Sequence, residues 1–172
     1  MTNDLLGLLV VIPLAAAVVS VALIGRPIHQ RVLGLTSQLA MLALALTWLV
    51  RIRGGEVMVS QMGSWRAPFG ITLVFDSLSG LLLCAGLIVA ISCSLHGFSL
   101  VDPQIERRYF HPLVQLLLMG VNQSFLTGDL FNLFVAFEIM LMASYGLLSI
   151  GHTRQQMAQA YKYLLLNLVG ST

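Results

Sequence analysis

Apolar runs recur along this chain, several of them approaching twenty residues: Leu5 to Ile24, Val32 to Val50, Leu78 to Leu95, Leu113 to Leu126, Leu130 to Ile150, and a last one opening near Ala158. About 20 apolar residues in helical form cross the hydrocarbon core of a bilayer, and a helix there satisfies its backbone N–H and C=O groups internally. The pattern predicts an all-α integral membrane protein, with five transmembrane helices and the start of a sixth. The expected helices cover residues 5–24, 32–50, 76–98, 109–127, 130–150 and 158–172, all within one transmembrane domain over 1–172.

Composition excludes several other classes. Hydrophobic residues make up 58% of the chain and charged residues 9%, where a soluble domain carries about 25% charged residues. The net charge is +2, and the basic residues stand in short clusters between apolar runs, without the aromatic interleaving of a nucleic-acid surface. Cys84 and Cys93 lie nine residues apart in one run, on opposite faces of a helix and roughly 13 Å apart along its axis. They cannot pair with each other, and no histidine stands at a ligand spacing from them, so no metal is expected. The first run has no basic segment before it and no small-residue cleavage pattern after it, so it is read as a mature helix and not a signal peptide.

The fourth run is the weakest, with Gln115 and then Asn122, Gln123 and Ser124 near its end. Extended back to Tyr109, with Pro112 in its first turn, it makes a full crossing. Only Thr127, Gly128 and Asp129 join it to the fifth run, so these two helices are expected to be antiparallel neighbours. The longest connection, Arg51 to about Phe75, carries Gly54, Gly55, Gly63 and Gly70 beside apolar residues and suggests a folded external hairpin or lid. Asp76, three residues before Ser79, is expected to cap the third helix. With an outward N-terminus, the cytoplasmic connections hold Arg26, Arg31, Arg107, Arg108, Arg154 and Lys162, against Arg51, Arg53 and Arg66 on the other side. That balance favours an N-terminus outside.

Glu138 is the carboxylate set deep in a span. The midpoint of Leu130 to Ile150 is residue 140, which puts Glu138 about 3 Å from the centre along the axis. A centrally placed charged side chain costs about 2.5–3.5 kcal/mol on insertion scales, and an unpaired carboxylate there tends to hold a proton. A cation brought near would release that proton, and its withdrawal would draw one back. Glu138 is therefore the candidate for proton translocation, the plainer alternative being a carboxylate that pairs with a cation or hydroxyl and holds helices together. Tyr145, seven residues on, shares nearly the same helical face, while Ser144 and Asn132 point elsewhere. Tyr145 and Lys162, the chain's one lysine, are accessory candidates, each weighed against packing or snorkelling to the interface. His96 and His111 lie near helix ends and His29 and His152 in connections, an interfacial placement from which His111 is the exception left open.

Two stretches carry a family resemblance: GSWRAPFGITLVFDSLSGLLL, Gly63 to Leu83, and FLTGDLFNLFVAFEIMLMASYGLLSIG, Phe125 to Gly151. They resemble the antiporter-type membrane subunits shared by Mrp multisubunit cation/proton antiporters and respiratory complex I, most nearly the D-type subunits of the Mrp antiporters. The resemblance implies that Glu138 matches the fifth-helix glutamate of proton translocation, which the family pairs with a lysine on its seventh helix. It implies a fold of about fourteen helices with inverted five-helix repeats, of which this chain would be an N-terminal fragment ending inside the sixth helix, unable to transport alone. It further implies partners that are other membrane subunits of a hetero-oligomeric complex, protons and monovalent cations such as Na+ as the transported species, and a bacterial inner membrane as the location. No bound cofactor is implied. A proton-pumping subunit of an NADH:quinone oxidoreductase or membrane-bound hydrogenase is the second implied reading. A scaffold that only supports assembly is the third.

Overall fold

The computed structural model describes residues 3–52, 56–65, 70–151 and 153–171. Arg53, Gly54, Gly55, Arg66 and His152, which figure in the charge balance, the hairpin punctuation and the interfacial histidines, lie outside the described residues. Six helices carry the fold: α1 (Leu8–Ala22), α2 (Pro27–Arg51), α3 (Ser77–Leu100), α4 (His111–Leu126), α5 (Leu130–Ser149) and α6 (Arg154–Ser171). A two-stranded antiparallel hairpin, β1 (Met58–Gln61) with β2 (Thr72–Phe75), fills the connection between α2 and α3, with Met58 opposite Phe75 and Gln61 opposite Thr72. The glycine-punctuated connection is thus a folded hairpin, as its composition suggests.

Several boundaries depart from those expected, each for a local reason. A 3-10 segment, Asn3–Gly7, precedes α1, so the regular helix starts at Leu8. Gly25, at φ 87°, makes the turn after it, a left-handed conformation that glycine adopts without steric cost. The second helix begins at Pro27 and not at residue 32, because a proline in the first turn loses an N–H that would be unpaired there anyway. His29 and Arg31 consequently stand on a helix and not in a connection. Arg108, at φ −94° and ψ −131°, interrupts the helical geometry before α4, which therefore starts at His111 and not at 109. The sixth helix starts at Arg154, four residues before 158, because Thr153 and Gln156 cap it reciprocally: Thr153 Oγ1 accepts from the Gln156 N–H at 3.2 Å and Gln156 Oε1 accepts from the Thr153 N–H at 3.4 Å.

Both ends of the bundle are tied. At one end the hairpin packs on the α4–α5 joint, the Gly128 N–H donating to Thr72 O at 2.8 Å, and Trp48 meets Phe75 edge to face at 5.8 Å between centroids. Beneath it Leu6, Leu9, Met41, Leu73 and Leu126 form a closed apolar core. At the other end Gln30 Nε2 donates to Ser20 O at 2.7 Å across the α1–α2 turn. The α4–α5 pair is antiparallel and close, with Gly120 facing the Ala136 carbonyl and Met140.

Outer faces carry large apolar residues, among them Val18, Leu81, Val89, Phe131 and Phe137, all exposed. Water would not tolerate so much of that surface, but hydrocarbon does. Among the described residues, four helical segments are long and apolar enough to cross a membrane: Leu5–Ala22, α2, α3 and α5. The chain is a mostly helical, multi-pass membrane protein.

Candidate functional site

Helix α4 is a partition between two cavities. Its Leu113 and Leu116 face a cavity of about 450 Å³, closed on the other side by Val135, Glu138, Ile139 and Met142 of α5. Its His111, Val114, Gln115 and Leu118 face a second cavity of about 590 Å³, shared with α2 and α3. At 100° per residue the two sets lie on opposite sides of the helix.

Among the described residues Glu138, half-buried, is the one charged group on the first cavity, whose other walls are apolar. Among the described residues it makes no hydrogen bond and no ion pair. Ala143, one turn further, is buried and also lines this space. Tyr145 is half-buried on the same helix but does not line the cavity, and Lys162 is exposed on α6 with no ion pair to Glu138. The three candidates expected from the sequence are therefore not gathered into one site. The tyrosine that reaches across to α5 is Tyr163, its hydroxyl 3.2 Å from Ser144 Oγ. Sequence spacing favours Tyr145 because it stays on one helix; a contact made by α6 has no such signal.

The second cavity ends on a charged cluster. Arg31 grips Glu106 with two nitrogens, Nη2 donating to Oε2 at 2.6 Å and Nε to Oε1. Arg31 Nη2 also donates to Phe98 O at 3.1 Å, and the guanidinium lies 4.9 Å from the Phe98 ring centroid. His111 Nε2 stands 3.0 Å from Glu106 Oε1. Glu106 is 3% exposed, and the Arg31 guanidinium, helped by His111 and opposed by burial, holds its carboxyl below the usual glutamate range. Below this cluster, polar groups continue between α2 and α4: Gln115 Nε2 donates to Gly34 O at 3.4 Å and Ser37 Oγ donates to Gln115 Oε1 at 3.3 Å. Gln38 Nε2 donates to Ser94 Oγ at 3.0 Å, and its Oε1, fully buried, has no partner among the described residues. Of this seam, Gln115 and His111 stand out in the sequence. Glu106 does not, because it lies in a connection and its partner is 75 residues away.

At the far end of α4, Gln123 reaches Asn132, and Asn132 Nδ2 donates to Thr127 Oγ1 at 2.9 Å. Asp129 caps α5 by accepting from the Asn132 N–H at 2.6 Å. These groups fix the tight joint that sets the depth of Glu138, nine residues beyond the cap. Among the described residues no three His, Cys, Asp or Glu side chains are grouped to hold a metal ion.

No family model matches the chain. It is similar to the D-type subunit of the Na(+)/H(+) antiporter of Alkalihalophilus pseudofirmus, 36% identical over 169 residues, covering 98% of this chain and 34% of the relative. This chain is a homologue of the D-type antiporter subunits. A probable K(+)/H(+) antiporter subunit of the same type, from Rhizobium meliloti, is 39% identical over 180 residues, 98% of this chain and 32% of that protein. Among solved structures, a chain of the Mrp complex from Dietzia sp. superposes with a TM-score of 0.89 at 32% identity, covering 99% of this chain and 32% of that one. A chain of the membrane-bound sulfane sulfur reductase, an archaeal respiratory membrane complex, gives 0.88 at 27% identity, with 98% and 35% covered. The chain spans about a third of the length of the D-type relatives it matches.

Proposed function

We propose that this chain forms part of the proton pathway of a multisubunit monovalent cation/proton antiporter, with Glu138 as the group that carries the proton. The carrying observation is a carboxylate on an otherwise apolar intramembrane cavity, without a neutralising partner among the described residues. An approaching cation favours the carboxylate, and its withdrawal favours the protonated acid. The same side chain thereby binds and releases a proton as a cation comes and goes. Lys162 and Tyr145 are accessory groups in this reading. The names of the relatives support Na+ or K+ as the exchanged ion, and partners that are the other membrane subunits of the complex.

In this reading residues 1–172 are the N-terminal part of one antiporter-like domain of about fourteen helices. α4 is a further crossing despite its 16 residues, the turns before it adding length, so that α5 is the fifth and α6 the sixth. The protein sits in a bacterial inner membrane with its N-terminus outside, which puts the Arg31–Glu106 end on the cytoplasmic side. The transport unit acts as a secondary transporter and not as an enzyme.

The test is Glu138→Gln in the full-length protein within its complex, assayed as cation-dependent proton exchange in everted vesicles. Loss of exchange at normal assembly is expected, with Glu138→Asp retaining part of it. Intact exchange in Glu138→Gln would remove the proton-carrying role. The superposition on a respiratory complex favours a second reading, a proton-pumping subunit of a redox complex. That reading is distinguished by proton movement driven by electron transfer and independent of added Na+ or K+.

A further inference from the structure

We propose that Glu106, His111 and Arg31 form a second proton-binding site, separate from Glu138, which loads one proton onto the His111 ring at the α1–α2 and α3–α4 end of the bundle. It lies on the other side of α4 from the Glu138 cavity, and it faces the 590 Å³ cavity between α2, α3 and α4.

The chemistry follows from the partners. Glu106, gripped by Arg31, is ionised and can only accept hydrogen bonds, so the nitrogen 3.0 Å away, His111 Nε2, carries a hydrogen and donates it. The arriving proton therefore forms its N–H bond at Nδ1, turning the neutral imidazole into imidazolium. No other bond breaks, and the added charge is offset by a carboxylate already in place. Arg31 and Glu106 alone cancel; with the proton bound, the cluster carries one net positive charge. Burial opposes that charge, as His111 is 6% exposed, while Glu106 favours it. Packing fixes the ring: Phe110 meets it edge-on at 5.4 Å and Phe98 lies 6.1 Å away.

Few other charges face this group. The described part of α1 holds none; α2 contributes Arg31 to the cluster. From α3 come Cys93, on the same cavity, and His96, exposed near the helix end. Arg107 and Arg108 of the adjoining turn are exposed, and α5 turns Glu138 to the opposite side of α4. The polar groups that follow the cluster, Gln115, Ser37, Gln38 and Ser94, include one buried acceptor without a partner among the described residues, Gln38 Oε1, on the cavity wall. Such groups suit ordered water, which needs two to four polar contacts and can pass a proton on.

The test uses the full-length protein in its complex. Infrared difference spectra, recorded with isotope-labelled histidine, follow ring protonation between pH 5 and 9 in the wild type, His111→Gln and Glu106→Gln. A titrating imidazole that disappears in His111→Gln, and whose midpoint falls by about one pH unit or more in Glu106→Gln, is expected. The cation/proton exchange profile against pH should lose the matching limb in His111→Gln. If His111→Gln fails to assemble, the wild type and Glu106→Gln still decide: no titration moved by Glu106→Gln overturns the site. An unchanged histidine spectrum or an unchanged pH profile in assembled His111→Gln overturns it as well. Glu138→Gln provides the separation from the first site, since it should abolish exchange and leave the His111 titration in place.

Discussion

Asp76 and Ser79 show what a short sequence pattern can decide. The Ser79 N–H donates to Asp76 Oδ1 at 2.7 Å, the Asp76 N–H donates to Ser79 Oγ at 2.8 Å, and the α3 terminus is closed reciprocally. Those bonds to Ser79 hold the Asp76 carboxyl below its ordinary range. A depressed value in the folded state means that the stabilisation is fully present above the unfolded aspartate pKa of about 3.9 and is lost as pH falls through the folded value. Asp76→Ala should cost about 1 kcal/mol at neutral pH, and Asp76→Asn much less, because asparagine caps nearly as well. Tm of the purified protein checks both, and Asp76→Asn should also flatten the fall of Tm below about pH 4. An equal loss in both variants would show that the carboxylate charge, and not the cap, holds the helix end. This cap was legible because donor and acceptor lie three residues apart. Arg31 and Glu106 were not, since nothing local in either segment signals a partner 75 residues away.

Among the helices, the α4–α5 pair depends on small residues at its crossing. A methyl group added at Gly120 would lie 2.6 Å from Met140 Cγ and 2.9 Å from the Ala136 carbonyl oxygen. Met140 can yield, but the carbonyl cannot, so Gly120→Ala should destabilise the protein by about 1–3 kcal/mol. Gly97→Ala is the matched control on α3, where the nearest atom would be 3.8 Å away; there it should be neutral or gain about 0.5–1 kcal/mol in Tm measurements. Comparable losses at both positions would refute close packing as the cause. The pairing of these helices was legible from their three-residue joint, and helix existence from apolar run length. The start of α6 was missed although Thr153 and Gln156 have capping-box spacing, because a run of polar residues hides the first turns from hydropathy.

Across the whole molecule, the two ends differ in what they expose. The proposed orientation predicts that a cysteine placed at Glu56, exposed beside the hairpin, reacts with a membrane-impermeant maleimide in intact cells, whereas one at Gln104 reacts only in everted vesicles. The opposite pattern would invert the topology. Hydropathy laid out the bundle but could not show which faces of α4 look at which neighbours, and that is where both candidate sites reside. One wall shared by two cavities makes their volumes complementary: a displacement of α4 that opens room beside Glu138 takes it from beside His111. Such a stroke would change the room on the two sides in opposite senses, so a single rigid rod would set the phase between wetting on one side and drying on the other.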